Sequence, residues 1–258
     1  MSTLNVSSIN SGPIGGMRNA LINGNPTINQ RGYVSGTATT AANQYTLDRW
    51  RVVTSGQNIS WTDSANVRTV TAPAGGVEQV VEGINLFSGS YVLSWTGTAT
   101  ATVAGSSVAN GATVTLVGGV DTTVRFSGGT FALAQLEPGT RSTPFERRSY
   151  GQELALCQRY FCRISSANGY PATATLAYLS PLFPVEMRAT PTLITSAVLT
   201  ITDGALNYTQ STAAVFQYVG NARGGLVTFT NFSGMTAYRP MALNTSAFND
   251  TFVASAEL

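Results

Sequence analysis

Apolar and polar positions alternate along most of this chain with a period of two. The clearest case lies between Tyr91 and Val103, where Tyr91, Leu93, Trp95, Gly97, Ala99, Ala101 and Val103 share one parity and Thr96, Thr98, Thr100 and Thr102 hold the other. Such alternation puts the apolar set on a buried face and the threonines in water, which predicts one long strand with Gly97 marking a bend or bulge midway. Asn110-Gly111 turns the chain into Ala112, Val114 and Leu116, and Gly118-Gly119 turns it again toward Val124, Phe126, Phe131 and Leu133. Short strands with turns at this spacing predict a meander closed into a sandwich.

The period changes at one place. Tyr150, Leu154, Cys157 and Phe161 fall at a four-three-four spacing, the signature of one apolar helical face. Ser149 is the expected N-cap, Gln152 completes a capping box, and Glu153 sits near the positive end of the helix dipole. Alternation resumes over Tyr170 to Leu179, and Pro181, Pro184 and Pro191 confine Leu182 to Thr192 to edge or irregular structure. Leu193 to Thr202 reads as a strand, Asp203-Gly204 as a hairpin turn, and Asn207 to Val219 as a further strand region. A glycine-rich turn, Gly220 to Gly225, then carries Arg223. The expected fold is all-β, with two antiparallel β-sandwich, jelly-roll-like domains joined by a short α-helix. Residues 1–16 form an N-terminal attachment arm, 17–148 the first sandwich, and 149–258 the helix with the second sandwich. Residues 1–16 have too few apolar side chains to build a core and are either a tail or an arm that orders against a partner.

Composition narrows the function. Hydrophobic residues make up 43% and charged residues 10% of 258 residues, with 26 Gly and 10 Pro, a balance that favours turn-rich β structure. A net charge of +2 is too small to imply nucleic acid or an anionic membrane as partner. All 14 basic residues are Arg, which fits bidentate pairs at interfaces and equally fits codon bias in a GC-rich genome. The absence of His removes the commonest general base and every His-containing metal site. Two cysteines, Cys157 and Cys162, exclude a cysteine-rich zinc site and read as free thiols. No run approaches ~18 apolar residues and the start lacks a signal-peptide pattern, so the expectation is a soluble protein of a reducing cytosol without membrane insertion. The acids form no paired motif and there is no solenoid repeat of ~20–30 residues, so no catalytic residue, metal or cofactor is expected and the chain reads as a non-enzyme.

Among the tryptophans, Trp95 lies in the apolar parity of a strong strand and Trp50, beside Asp48 and Arg49, reads as a core or hinge anchor. Trp61, between Ser60, Thr62 and Asp63, is the candidate exposed platform. Tyr208, Tyr218, Arg223 and Tyr238 lie at strand ends or turns, where binding residues concentrate, and complete the candidate ligand-binding set.

Several separated motifs carry a resemblance. Arg18-Asn-Ala-Leu-Ile-Asn-Gly-Asn25 with Gln30-Arg-Gly32 and Asp48-Arg-Trp50 resembles the opening of a β-sandwich module of tailed-bacteriophage tail fibre and receptor-binding proteins. Gln135-Leu-Glu-Pro-Gly139 with Thr143-Pro-Phe-Glu146 is similar to that module's closing strand. Tyr150 to Tyr160 is similar to the family's most recognisable signature, and Met187-Arg-Ala-Thr-Pro191 and Ala256-Glu-Leu258 are similar to its C-terminal part. The resemblance implies a homotrimeric virion component on the tail or capsid surface, assembled in the host cytoplasm. It would attach to other virion proteins through the N-terminal arm and present its C-terminal domain to a bacterial surface polysaccharide or protein. The alternative is a structural virion adaptor or capsid decoration protein without a host ligand. In the trimer the narrow helical face of Tyr150, Leu154, Cys157 and Phe161 would meet copies of itself near a threefold axis, with Arg147, Arg148 and Glu153 at the rim.

Overall fold

The computed structural model describes residues 8–9, 12–13, 17–195, 199–211, 216–244 and 252–258; the side chains of 8–9, 12–13 and 216–218 lie outside that description. The protein is all-β, built from antiparallel sheets. It divides into two compact units, Met1–Leu154 with Leu258, and Ala155–Glu257. The division falls inside the helix rather than at the expected 148/149 boundary. Strands β1 (Ser8–Ile9) and β2 (Gly12–Pro13) pair with each other, and the rest of the expected 1–16 arm lies outside the described residues.

The first unit continues with β3 (Gln44–Tyr45), β4 (Arg51–Val52), β5 (Ser60–Ser64), β6 (Val67–Ala72), β7 (Val77–Val81) and β8 (Gly89–Thr96). There follow β9 (Thr100–Val103), β10 (Ser106–Val108), β11 (Thr113–Leu116), β12 (Thr122–Ser127) and β13 (Gly129–Pro138). One sheet runs β10-β9-β12-β7-β4-β3 and the other β11-β8-β13-β6-β5. Their inner faces share one core, centred on Trp50, Phe126, Phe131 and Trp95. Phe126 and Phe131 stack at 4.5 Å, Trp50 packs on Phe131 at 5.1 Å, and Trp95 meets Phe126 edge-on at 5.3 Å.

The long alternating run from Tyr91 to Val103 is not one strand. It passes from β8 in one sheet to β9 in the other, and its apolar parity stays inward because the corner turns around the core. Gly97 makes the corner: its φ is +130°, and a Cβ there would lie 2.1 Å from the Thr130 carbonyl oxygen. A bulge in β13 between Ala132 and Gln135 keeps Ala134 and Leu136 in the core and turns Gln135 and Glu137 to the opposite face.

The helix α1 (Tyr150–Gln158) starts where the pattern predicts, with the Gln152 amide donating to Ser149 Oγ at 3.4 Å. Only half of the capping box forms, since the Gln152 side chain reaches the Met17 sulfur instead of Ser149. The helix ends before Phe161, which opens β14 (Phe161–Arg163).

The second unit adds β15 (Ala167–Pro171), β16 (Ala177–Pro181), β17 (Thr192–Thr195), β18 (Thr200–Thr202) and β19 (Asn207–Thr209). Strands β20 (Phe216–Asn221), β21 (Gly224–Phe229), β22 (Met241–Leu243) and β23 (Phe252–Ser255) complete it. A three-stranded sheet, β14-β23-β17, and a seven-stranded sheet, β19-β18-β22-β15-β16-β21-β20, share a core that includes Leu179, Ile201, Phe229 and Phe252. The alternation over Tyr170 to Leu179 is a hairpin, not a strand. Thr173 Oγ1 accepts the amides of Thr175 and Leu176, and the Ala172 amide closes on the Leu176 carbonyl at 2.8 Å, so local hydrogen bonds override the period. The proline-bearing stretch after β16 is irregular as expected, apart from a bridge from Leu182 to Gly224.

Candidate functional site

The seven-stranded sheet turns Ala177, Leu179, Val227 and Phe229 into the core. The alternate positions Tyr178, Thr228 and Leu226 therefore face outward, with Val219 paired opposite Leu226. Tyr170 on β15 stands directly across from Tyr178 on β16. Their rings meet edge-on at 5.8 Å, and the ring of Tyr238 lies against Tyr170 at 6.1 Å with the planes 28° apart. Tyr238 is 78% exposed, Tyr170 is 41% exposed and Tyr178 is half-buried. The result is an aromatic face open to water, extended by the exposed Leu226 and Val219.

Tyr238 is held in place by its backbone. Its φ is +63° and its amide donates to the Pro171 carbonyl at 2.8 Å. The next residue, Arg239, pairs with Asp203 at 2.9 Å. Asp203 is itself fixed by the β18–β19 turn, taking the amides of Leu206 at 2.7 Å and Ala205 at 2.9 Å, and these bonds hold its carboxyl below the ordinary value, with Arg239 adding to them. The buried Tyr208 donates its hydroxyl to the same carboxylate at 3.2 Å, and burial first, then Asp203, raises the phenol above its ordinary value. Tyr208 is thus a support for the Asp203–Arg239 pair and presents no ring to a ligand.

The remaining expected ligand residues are not gathered there. Arg223 lies on the β20–β21 turn, at the end of β21 away from Thr228, and pairs with Glu186 at 3.1 Å in solvent. Tyr218 is on β20, with its side chain outside the described residues. Trp61 is on β5 in the first unit and is half-buried. The Arg68 guanidinium covers one face of its indole at 4.6 Å while pairing with Asp63 through two bonds of 2.8 Å. That covering removes the open platform expected of Trp61. Tyr170 and Tyr178 escaped the sequence reading because their pairing exists only once the Ala172–Leu176 turn is recognised; from that turn, the register follows.

The helical joint also changes. Cys157 and Phe161 are buried within the single chain, and Phe161 belongs to a strand, so neither offers surface to a threefold contact. The side chain of Arg148 is withdrawn from water as well. It donates to the carbonyls of Asn19 and Leu21 and pairs with Glu146 at 3.4 Å and Glu153 at 3.3 Å, while the Asn23 amide also donates to Glu153. Leu154 is partly buried, leaving Tyr150 and Arg147 exposed. Arg148 and Glu153 belong to a polar seam around Glu137, which accepts Arg18 Nε at 3.2 Å, Gln135 Nε2 at 2.8 Å and the Thr143 amide at 2.7 Å. The Glu146 amide meets Gln135 Oε1 at 2.7 Å, and Glu146 accepts the Asn19 amide at 2.8 Å. Both cysteines are buried, and burial pushes the Cys162 thiol up to about 12, far from the reactive range.

The sequence matches no protein-family model and no characterised protein.

Proposed function

We propose that the chain is a receptor-binding component of a tailed-bacteriophage virion, attaching the particle to a bacterial surface glycan through its second unit. The observation that carries this reading is the open face of Tyr170, Tyr178 and Tyr238. Flat aromatic rings stack on the apolar faces of pyranose rings, and rings already held by a sheet register and a backbone hydrogen bond lose little entropy on binding. The ordered motifs from Arg18 to Leu258 support the phage assignment. The reading includes homotrimeric assembly and attachment to other virion proteins through residues 1–16.

The test is binding of the labelled full-length chain to an array of bacterial surface polysaccharides. At least one should be retained, and Tyr238→Ala should weaken it about tenfold, the scale of one lost aromatic contact of about 1.4 kcal/mol. Binding to none, or binding indifferent to removal of Tyr170 and Tyr238, overturns the reading.

A second reading, a structural virion adaptor without a host ligand, has its own support. Ile84, Phe87, Val117 and Val120 in the first unit are each more than half exposed. Their loops are tied together by the Gly119 amide on the Gly83 carbonyl at 3.1 Å and the Gly118 amide on Ser88 Oγ at 2.9 Å. An apolar tip of this kind fits a protein contact. Failure of every polysaccharide together with co-assembly with a virion protein, lost in Phe87→Ser, favours the adaptor.

A further inference from the structure

The outer face of the first unit's six-stranded sheet carries an open groove of about 730 Å³, within the range of small-molecule sites. The strand register sets Thr102, Arg125, Glu78 and Arg51 side by side across β9, β12, β7 and β4. Glu78 is buried and receives both guanidinium groups. Arg51 donates Nε and Nη2 to Oε1 at 2.9 and 2.7 Å, and Arg125 donates Nε to Oε2 at 2.7 Å with Nη2 at 2.6 Å from the same oxygen. Arg51 also donates Nη1 to the Leu258 carbonyl at 2.7 Å. Arg125 Nη1 has no partner among the described residues, and the side chain is 38% exposed.

Around that donor the lining is hydroxyl and amide: Thr102, Thr123 and Ser127, with Asn43. Ala74, Gly75, Ala104 and Gly105 keep the walls low. Asp121 also lines the groove, with one carboxylate oxygen accepting the Gly83 amide at 2.7 Å and the other available to a ligand hydroxyl. The guanidinium that the row leaves under-paired is fixed in orientation by its bonds to Glu78, so its Nη1 is pre-organised to donate to an oxyanion.

We propose that this groove binds a carboxylate-bearing saccharide, with Arg125 taking the carboxylate and the Thr, Ser and Asn side chains taking ring hydroxyls. It is a second site, in the other unit, and does not depend on the tyrosine face. The shared requirement is an acidic sugar, whether it comes from a capsular polysaccharide or an exopolysaccharide.

Calorimetric titration of the full-length chain with a galacturonate tetramer, the matching neutral galactose tetramer and inorganic phosphate tests it. The uronate should bind about tenfold more tightly than the neutral sugar, and more weakly as salt rises, as a single charge-assisted pair requires. Arg125→Ala should remove that tenfold preference, and Arg125→Lys should remove most of it, since a lysine ammonium cannot hold Glu78 through two nitrogens and present a third in a fixed direction. Gly105→Asn keeps a left-handed residue where a Cβ meets nothing within 4 Å and should obstruct the groove without disturbing the fold. Tyr238→Ala should leave uronate binding unchanged.

Equal binding of both tetramers, absence of uronate binding, indifference to Arg125, or phosphate competing as well as uronate (an adventitious anion only) each overturns the proposal. If Arg125→Ala fails to fold, Arg125→Lys and Gly105→Asn decide. Uronate binding that depends on Arg125, with no polysaccharide binding that depends on Tyr238, would sink the tyrosine reading and leave this one standing.

Discussion

The two units bury similar apolar cores but treat polar groups in opposite ways. The first buries Asp48, Arg49, Glu78 and Glu137 with Asn19, Asn23, Gln79 and Gln135, whereas the buried polar residues of the second, among those described, are Thr200 and Gln210. In the first unit, side chains do what strand pairing does elsewhere. Asn23 holds the Ile28 backbone through both ends of its side-chain amide, Nδ2 donating to the carbonyl and Oδ1 accepting the N–H, Gln79 takes the amide and carbonyl of Ile22, and Asp48 Oδ1 accepts the Gln30 amide at 3.0 Å. These bonds organise residues 19–32, which contain no regular strand. The second unit closes its hairpins with local turns, and among its described residues the irregular stretches 183–191 and 230–240 are held with few buried polar side chains, while its seven-stranded sheet presents an aromatic face. Buried polar networks fix irregular chain, and local turns free a sheet surface for contact.

The comparison is tested first on the cores, where the units should behave alike. Trp50→Ala in the first and Phe229→Ala in the second should each cost about 3–5 kcal/mol. Urea unfolding gives the size of the loss, and hydrogen exchange assigns it to one unit; a much smaller loss for either would break the equivalence.

The polar contrast should appear next. Glu137→Ala strands a buried set of donors and should cost about 3 kcal/mol. Gln210→Ala, which frees only the Leu199 amide and the Thr230 carbonyl, should cost about 1–2 kcal/mol. Equal losses would show that the seam contributes no more than an ordinary buried hydrogen bond.

The smallest effect concerns pH. The carboxyl of Asp203 is lowered in the folded chain from its ordinary 3.8, so its contribution is complete above that value and is lost as pH falls through the folded one. The second unit of the native protein should therefore weaken more steeply below pH 3.8 than that of Asp203→Asn. Parallel acid unfolding curves would assign no stabilising role to this carboxylate.

Local signals were legible in the sequence. Asn110-Gly111 forms a turn whose Asn side chain takes the Trp95 amide and carbonyl, Asp203-Gly204 closes a hairpin, and α1 begins after Ser149. Trp50 and Trp95 are buried, as their settings implied. The misses arose where distant chain decides the outcome. Alternation from Tyr91 to Val103 is the same whether a run stays in one sheet or crosses to another, and the carbonyl that forces Gly97 belongs to Thr130. Phe161 keeps the helical spacing but pairs with Ser255 in a strand. Glu137, Glu146 and Arg148 were visible as charges, while their partners at Arg18, Asn19 and Leu21 lie more than a hundred residues away.

The seam has a mechanical consequence. It clamps residues 17–23, where the chain enters the first sandwich, to residues 143–153, where it leaves. Because these bonds join the entry directly to the exit, tension applied between the two points is borne by them as well as by the strand pairs. Pulling the sandwich by these two points is therefore expected to need more force in the native protein than in Glu137→Ala, a difference single-molecule extension would read.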